Sequence, residues 1–210
     1  MRRFIPILLT LTSISCSKSG TELTRFYEDG RAKPVVAIAS VIDATSIDLP
    51  WSLSEELTSM VANSVSQDGR ICVSCKDDLD STDSPFGQDL AWIKREFPED
   101  QFVVFMELVE HDVQPVETKG KAEPFETAMN LNTTMKLRVI DIRSLTPKIV
   151  LQEQVRSSYF IPKNAIPTDY SLSGWGTNDF YGTPMGQAHK QLIQELAQRI
   201  GDYIQLAKSR

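Results

Sequence analysis

The stretch "PVVAIASVIDA", residues 34–44, decides the fold of this chain. It is short, nearly all apolar and rich in β-branched side chains, which is typical of a strand buried on both faces. Pro34 stands at its start, where a missing backbone N–H removes no ladder hydrogen bond. The sequence around this strand therefore predicts a sheet on which helices pack.

A capped helix and a second strand follow. In "LPWSLSEELTSMVANSVSQDGR" (49–70), Ser52 and Glu55 form a capping box, and apolar residues recur at helical spacing as far as Gly69, a natural helix stop. The next segment, "RICVSC" (70–75), is typical of a brief strand. A strand, a helix and a strand in this order favour two neighbouring parallel strands joined by a right-handed crossover.

The rest of the chain extends this βαβ unit into a mixed sheet. The remaining predicted elements are a second helix, a third strand, a long strand, its antiparallel hairpin partner and a long C-terminal helix, over 86–98, 101–113, 126–142, 148–160 and from Thr183 onward. The long strand alternates cleanly, so it has one buried face and one wet face, with Lys136 and Arg138 on the wet face. The order β-α-β-α-β-β-β-α predicts an α/β fold with a mixed sheet.

The chain begins with "MRRFIPILLTLTSISCSKSG", which has the organisation of a bacterial signal peptide. Two arginines precede an apolar run that is too short to span ~30 Å of hydrocarbon, and small residues lead into Cys16. This arrangement resembles the lipobox, whose cysteine is acylated with palmitate-type chains. We expect a signal peptide over 1–15, a lipidated Cys16 with a flexible tether over 16–33, and one α/β domain over 34–210. The alternatives are an ordinary secretory signal, with Cys16 incidental, and an uncleaved anchor.

Composition limits the classes of function. The chain is 41% hydrophobic, enough for a real core, and its formal net charge is -6. An acidic protein repels phosphate backbones, and the sequence has no basic patch to overcome this, so nucleic acid is not an expected partner. Flat binding to an anionic membrane surface is disfavoured for the same reason. No later stretch reaches 18 consecutive apolar residues, so none is expected to span a membrane as a helix.

Few residues are candidates for chemistry. Cys72 and Cys75 form a C-x-x-C motif, but the carboxylates that follow would raise a thiol pKa, and no second Cys or His pair completes a zinc site. A local disulfide and two packed thiols remain open as alternatives. The two histidines, His111 and His189, have no motif-bearing nucleophile nearby and are expected on the surface. We expect no catalytic residue, no metal site and no cofactor.

A loop rich in glycine and aromatic residues precedes the last helix. It contains "GWGTNDFYG" (174–182), and its candidate partner-binding residues are Tyr170, Trp175, Phe180 and Tyr181. Aromatic side chains on loops of this length often contact partners. The alternative is that they fold back and cover the sheet edge or the last helix.

Two segments carry a resemblance to known envelope proteins. Together with the lipobox-like Cys16, the strand–helix–strand segment 34–75 and the C-terminal "FYGTPMGQAHKQLIQELAQRI" (180–200) resemble lipoproteins of the curli secretion-channel and penicillin-binding protein activator type. The resemblance implies an anticodon-binding-like α/β domain that docks proteins or assembles into rings. It implies no catalytic residues.

These observations lead to one expected function and two alternatives. We expect a lipoprotein, not an enzyme, that is anchored on the periplasmic face of the outer membrane and acts as adaptor or regulator for another envelope protein. The first alternative is a subunit of a homo-oligomeric outer-membrane secretion channel, although the polar outer face of the hairpin over 126–160 is unsuited to lipid. A thiol redox enzyme or a hydrolase is the remote alternative.

Overall fold

The structure is a computed structural model that describes residues 25–76, 84–116, 128–163, 165 and 167–209, without the side chains of residues 75 and 76. The predicted signal peptide, Cys16 and the predicted tether as far as residue 24 lie outside the described residues. No helix of the described part has the length and apolar character that a membrane crossing requires.

The elements follow the predicted order. In chain order they are β1 (Val35–Ala39), β2 (Ile42–Asp43), α1 (Leu53–Gln67), β3 (Cys72–Lys76), α2 (Ile93–Glu96), β4 (Phe102–Pro115), β5 (Met129–Asp141), β6 (Lys148–Ile161) and α3 (Pro184–Lys208), with a 3₁₀ turn over Phe180–Gly182 before α3. This arrangement confirms the α/β class, the long hairpin and the C-terminal helix.

The sheet is mixed, with strand order β3-β1-β4-β5-β6 and the short β2 beside β4. β1 lies parallel to both β3 and β4. β4, β5 and β6 are antiparallel neighbours. The early βαβ unit thus supplies the parallel half of the sheet and the hairpin supplies the antiparallel half, as the sequence predicts.

The deciding strand β1 is buried on both faces. Val36 and Ile38 point into the main core beneath α1 and α3. Ala37 and Ala39 point to the opposite face, where a smaller cluster forms around Phe97 and its neighbours near α2. An apolar run without alternation is what a strand covered on both sides requires.

The structure corrects the prediction for the outer face of β5. Arg138 is buried, since the segment 85–87 crosses over it and its guanidinium donates to the carbonyls of Pro85, Phe86 and Gly87 at 2.7–2.9 Å. The second helix, predicted over 86–98, spans only Ile93–Glu96. The carbonyls of residues 85–87 accept hydrogen bonds from Arg138 and so are not available to a helix. Lys136 does stay half-exposed, 2.8 Å from Glu107.

The structure also shortens the predicted tether. Phe26 and Ala32 form an antiparallel bridge, and the Tyr27 hydroxyl donates to the carbonyl of Arg70 at 2.7 Å. The Lys208 ammonium at the end of α3 donates to the carbonyl of Ala32 at 2.6 Å. Residues 25–33 therefore pack onto the domain.

Candidate functional site

The start of α3 positions the aromatic loop. Thr183 is the N-cap, as predicted, and its hydroxyl accepts from the backbone N–H of Gly186 at 3.0 Å. Gly186 packs so closely on the 3₁₀ turn that a Cβ there would overlap the carbonyl oxygen of Phe180. The loop is thus pinned to the first turn of the helix.

The four candidate residues of the loop divide into an inner and an outer pair. Phe180 is fully buried, and its ring lies edge-on to the Trp51 ring at a centroid distance of 5.6 Å. The Tyr170 ring also lies edge-on to the Trp51 ring, at 6.2 Å. For Phe180 the structure favours the alternative that the sequence left open, in which the ring folds back and covers the last helix. Trp175 is half-buried and Tyr181 is exposed, so these two form the outer pair.

The outer pair borders a shallow groove between α1 and α3, which we call the helix groove. Its volume is about 300 Å³, and it is lined by Ser59, Met60, Asn63, Ser64, Gln67, Trp175, Tyr181, Lys190, Ile193 and Gln194. Among these lining residues Lys190 alone is charged. Aromatic rings beside hydroxyl and amide groups suit contact with another protein, since Tyr and Trp combine large apolar area with a polar tip.

A polar network that the sequence did not reveal lies beneath the inner pair. The indole N–H of Trp51 donates to Glu56 Oε2 at 2.7 Å, and Glu56 Oε1 lies 2.6 Å from His189 Nδ1. His189 Nε2 lies 2.8 Å from His111 Nε2. Glu56 and His189 are fully buried and His111 is 6% exposed. The network joins α1, α3 and β4.

The prediction that both histidines lie on the surface is wrong. In β4 the register shifts between Leu108 and Glu110, and this irregularity turns His111 inward, whereas simple alternation along the strand would turn it outward. For His189 a signal was available: it follows the buried Met185 by four residues and precedes the buried Leu192 by three.

Hydrogen-bond chemistry assigns one proton of the network. A carboxylate only accepts, so the nitrogen of His189 that faces Glu56 carries a proton. His111 Nδ1 has no hydrogen-bond partner among the described residues. Burial, and secondly repulsion from His189, lower the pKa of His111 to about 4, which agrees with a neutral ring.

The network can hold elements together, but it is closed to ligands. It is covered by the loop and by α3, and among the described residues no cluster of three or more His, Cys, Asp or Glu side chains could hold a metal ion. A buried carboxylate with two donors at 2.6–2.7 Å gives strong, directional hydrogen bonds. The arrangement therefore serves to fix the aromatic loop and the helix groove.

The two cysteines of the C-x-x-C motif both lie in β3. Cys72 is a buried free thiol, and the side chain of Cys75 lies outside the described residues. Strand residues three apart have Cα atoms about 10 Å apart, whereas a disulfide needs Cα atoms roughly 4.4–6.8 Å apart. The strand favours the packed-thiol alternative for Cys72.

Solved structures with a similar fold include the hypothetical protein CT253 from Chlamydia trachomatis, which is 23% identical with a TM-score of 0.66, over 82% of this chain and 98% of that chain. Protein XCC0632 from Xanthomonas campestris is 10% identical (83% and 88% covered, TM-score 0.49). The uncharacterized lipoprotein B from Nitrosomonas europaea is 7% identical (82% and 86% covered, TM-score 0.43). The likeness to CT253 shows the fold.

No curated protein matches the chain. The sequence model of one family, described as a family of unknown function (DUF7499), matches residues 22–208, which include nearly all of the described residues. The chain belongs to the DUF7499 family.

Proposed function

We propose that this protein is a lipid-anchored lipoprotein on the periplasmic face of the outer membrane, where its domain binds another envelope protein as adaptor or regulator. The observation that carries the binding role is the helix groove, at whose edge the exposed Tyr181 and the half-buried Trp175 lie while Phe180 is buried in the core. The lipobox-like segment before Cys16 supports the anchor.

The groove has the composition of a contact surface. Its apolar floor is formed by Met60 and Ile193, and its rim consists of amide, hydroxyl and aromatic groups. Interface cores are depleted of charged residues and enriched in aromatic ones, and Lys190 is the single charge among the lining residues here. Because the groove is fixed by the network beneath the loop, little conformational entropy is lost on binding.

The anchor is tested with Cys16→Ser. Without a cysteine to acylate, the variant is expected to leave the membrane fraction and to lose incorporation of labelled palmitate, because the acyl chains supply the membrane affinity. A variant that stays in the membrane fraction through washes with high salt contradicts the anchor. Cys75→Ser, which changes a cysteine of the domain, is the control and should remain membrane-bound and labelled.

The binding role is tested by site-specific photocrosslinking in intact envelopes. A photoreactive residue at Gln194 in the helix groove is expected to give one defined crosslinked species, which is identified by mass spectrometry. Trp175→Ala combined with Tyr181→Ala should remove that species, since the aromatic edge is lost. Leu172→Ala, which changes an exposed loop residue outside the groove, is the control. A species that persists in the double variant, or none at all, contradicts the proposal.

The proposal includes a non-enzymatic role, and it differs from a ring-forming secretion subunit in its predicted size. Sizing of the detergent-solubilised protein is expected to give a monomer, or a single complex with the crosslinked partner. A large homo-oligomer would favour the channel alternative. Turnover of a substrate in a thiol–disulfide or hydrolase assay would favour an enzyme.

A further inference from the structure

We propose that the end of the domain where α3 terminates lies against a phospholipid bilayer, with apolar side chains in the interfacial layer and basic side chains near the lipid phosphates. We call this end the α3 C-terminal face, and define it by Phe26, Leu145, Ile149, Tyr203 and Leu206 with the grooves between them. It rests on the proposed function for its orientation, but its test below does not require an acyl chain.

Exposed apolar side chains are concentrated at this face. Of ten large apolar side chains that are exposed among the described residues, the five that define the face are between 38 and 93% exposed. Ile149, Tyr203 and Leu206 line one groove of about 840 Å³ between the β5–β6 turn and the last turns of α3. Leu145, the most exposed of them, lies in that turn. Apolar residues that project from a turn and a helix end suit insertion to a shallow depth.

Basic side chains flank the same residues. The first groove includes Arg143 and Lys148, and a second groove of about 640 Å³ on the other side of α3 includes Arg31, Arg70 and Lys208. Asp141 is the one acidic residue among the lining residues of both grooves.

These basic groups differ in their availability to lipid phosphates. The three arginines are in ion pairs, Arg31 with Asp29, Arg143 with Asp141, and Arg70 with Asp68 and Asp202. The ion pairs of the described residues include neither Lys148 nor Lys208. Because Lys208 already donates to the carbonyl of Ala32 at 2.6 Å, Lys148 is the group that we expect nearest to the phosphates.

The entry point of the chain identifies the bilayer as the occupant. The described chain begins at Arg25, and the next residues join the face through the hydrogen bond from Gln205 to the Tyr27 hydroxyl at 3.1 Å. Arg25 follows Cys16 by nine residues, which reach at most about 32 Å when fully extended. An acylated Cys16 would hold this face close to the membrane at a high effective concentration. The helix groove borders the first half of α3, at the opposite end of that helix.

The charge distribution agrees with this orientation. The chain has a net charge of -6, so most of its surface is repelled by anionic lipid. Basic residues predominate among the lining residues of the two grooves at the α3 C-terminal face. With the four aspartates that pair with its arginines, this face has five basic and four acidic side chains, a net charge of +1, so it is nearly neutral whereas the chain as a whole is acidic.

The test is vesicle flotation of the mature chain from residue 16 onward, made without the signal peptide and carrying Cys16→Ser so that no acyl chain can contribute. The chain is expected to float with vesicles of phosphatidylcholine and phosphatidylglycerol (about 7:3), and less with phosphatidylcholine alone. Leu145→Ser combined with Leu206→Ser should reduce the bound fraction roughly tenfold, because two partly inserted side chains are lost. Leu172→Ser, at an exposed leucine of the aromatic loop, should leave it unchanged.

Three results overturn the proposal. The first is no flotation with either vesicle, and the second is flotation that the double leucine variant does not reduce. The third is a dimer or larger species in solution that the double variant dissociates, which would assign the face to a second copy. The leucine variants must have the same urea denaturation midpoint as the parent chain, so that a change in flotation does not reflect unfolding. Since the chain lacks acyl groups, failure here is distinguishable from failure of the anchor, which Cys16→Ser reports separately in cells.

Discussion

The two ends of α3 differ in how far their apolar side chains are covered by the rest of the chain. At its N-terminal end, Met185, Gly186, Ala188 and His189 are all buried under the aromatic loop. At its C-terminal end, Tyr203 and Leu206 are exposed beside open grooves. The comparison teaches that an amphipathic stripe specifies which face of a helix is apolar, whereas the neighbouring chain decides how much of that face is covered.

The buried end depends on hydrogen bonds as well as on apolar area. Glu56 is fully buried, and a charge in that position is tolerated because the Trp51 indole and the His189 ring both donate to it. The exposed side chains at the C-terminal end depend neither on buried hydrogen bonds nor on buried apolar area. Substitutions of these side chains are expected to affect contacts with other molecules rather than folding.

The largest effect is expected from Glu56→Ala. It leaves the indole N–H of Trp51 and the Nδ1–H of His189 without an acceptor in the core, and should lower the free energy of unfolding by about 4 kcal/mol. Urea denaturation followed by tryptophan fluorescence measures it. Glu55→Ala, at the exposed neighbouring position, is the matched control, and Glu56→Gln should fall between the two. Equal effects of Glu55→Ala and Glu56→Ala would contradict the role of the network.

A pH dependence is expected from His111. Its pKa is about 4 when folded and ~6.5 when unfolded, so between these values the unfolded chain binds more protons and acid favours unfolding. The contribution of this group to the free energy of unfolding is complete above about pH 6.5 and falls by roughly 3 kcal/mol as the pH drops to 4.

The variant His111→Gln isolates that contribution. The charges of Glu56 in α1 and Asp43 in β2 face His111 and oppose the lowering of its pKa. The difference between wild type and His111→Gln in urea denaturation, measured from pH 7.5 to 4, should therefore shrink as the pH falls. A difference that is constant with pH would show that the ring titrates normally.

A moderate effect is expected from Gly186→Ala. The added methyl group would overlap the carbonyl of Phe180 and push the loop from the helix start, at a cost of about 2 kcal/mol in the free energy of unfolding. Gly182→Ala, whose Cβ would meet no atom within 4 Å, is the control and should stay within about 0.5 kcal/mol. Thermal unfolding compares the two, and the opposite ranking would contradict the close approach.

The smallest effect on stability is expected at the other end of α3. Leu206→Ser replaces a side chain that is 50% exposed, and should change the free energy of unfolding by no more than about 0.5 kcal/mol. Leu196→Ser, on the same helix but fully buried, is the contrasting variant and should cost several-fold more. Similar losses for both, in parallel urea titrations, would show that the C-terminal face is covered in solution.

Sequence reasoning predicted the elements better than the site. The βαβ unit around 34–75, the cap at Thr183 and the alternation of β5 are local patterns, and the structure confirms them. The alternation predicts the correct face of β5 for Arg138 but predicts that it is exposed to water, because nothing in the strand indicates that the distant segment 85–87 covers it. Local patterns predict the face on which a side chain lies, but they do not predict whether a distant segment buries it.

The amino-acid sequence alone specifies the local periods and caps: a strand within 34–44 whose doubly buried part lies in Val35–Ala39, a capped α1, an alternating hairpin and a helix that begins after Thr183. These depend on residues within a few positions of one another. The tertiary structure alone decided that Glu56, His189 and His111 meet, because they come from three elements and a register irregularity in β4 turns the last one inward. Glu56 and His189 are 133 positions apart in the sequence, so their hydrogen bond has no local signature and forms only when the elements pack together.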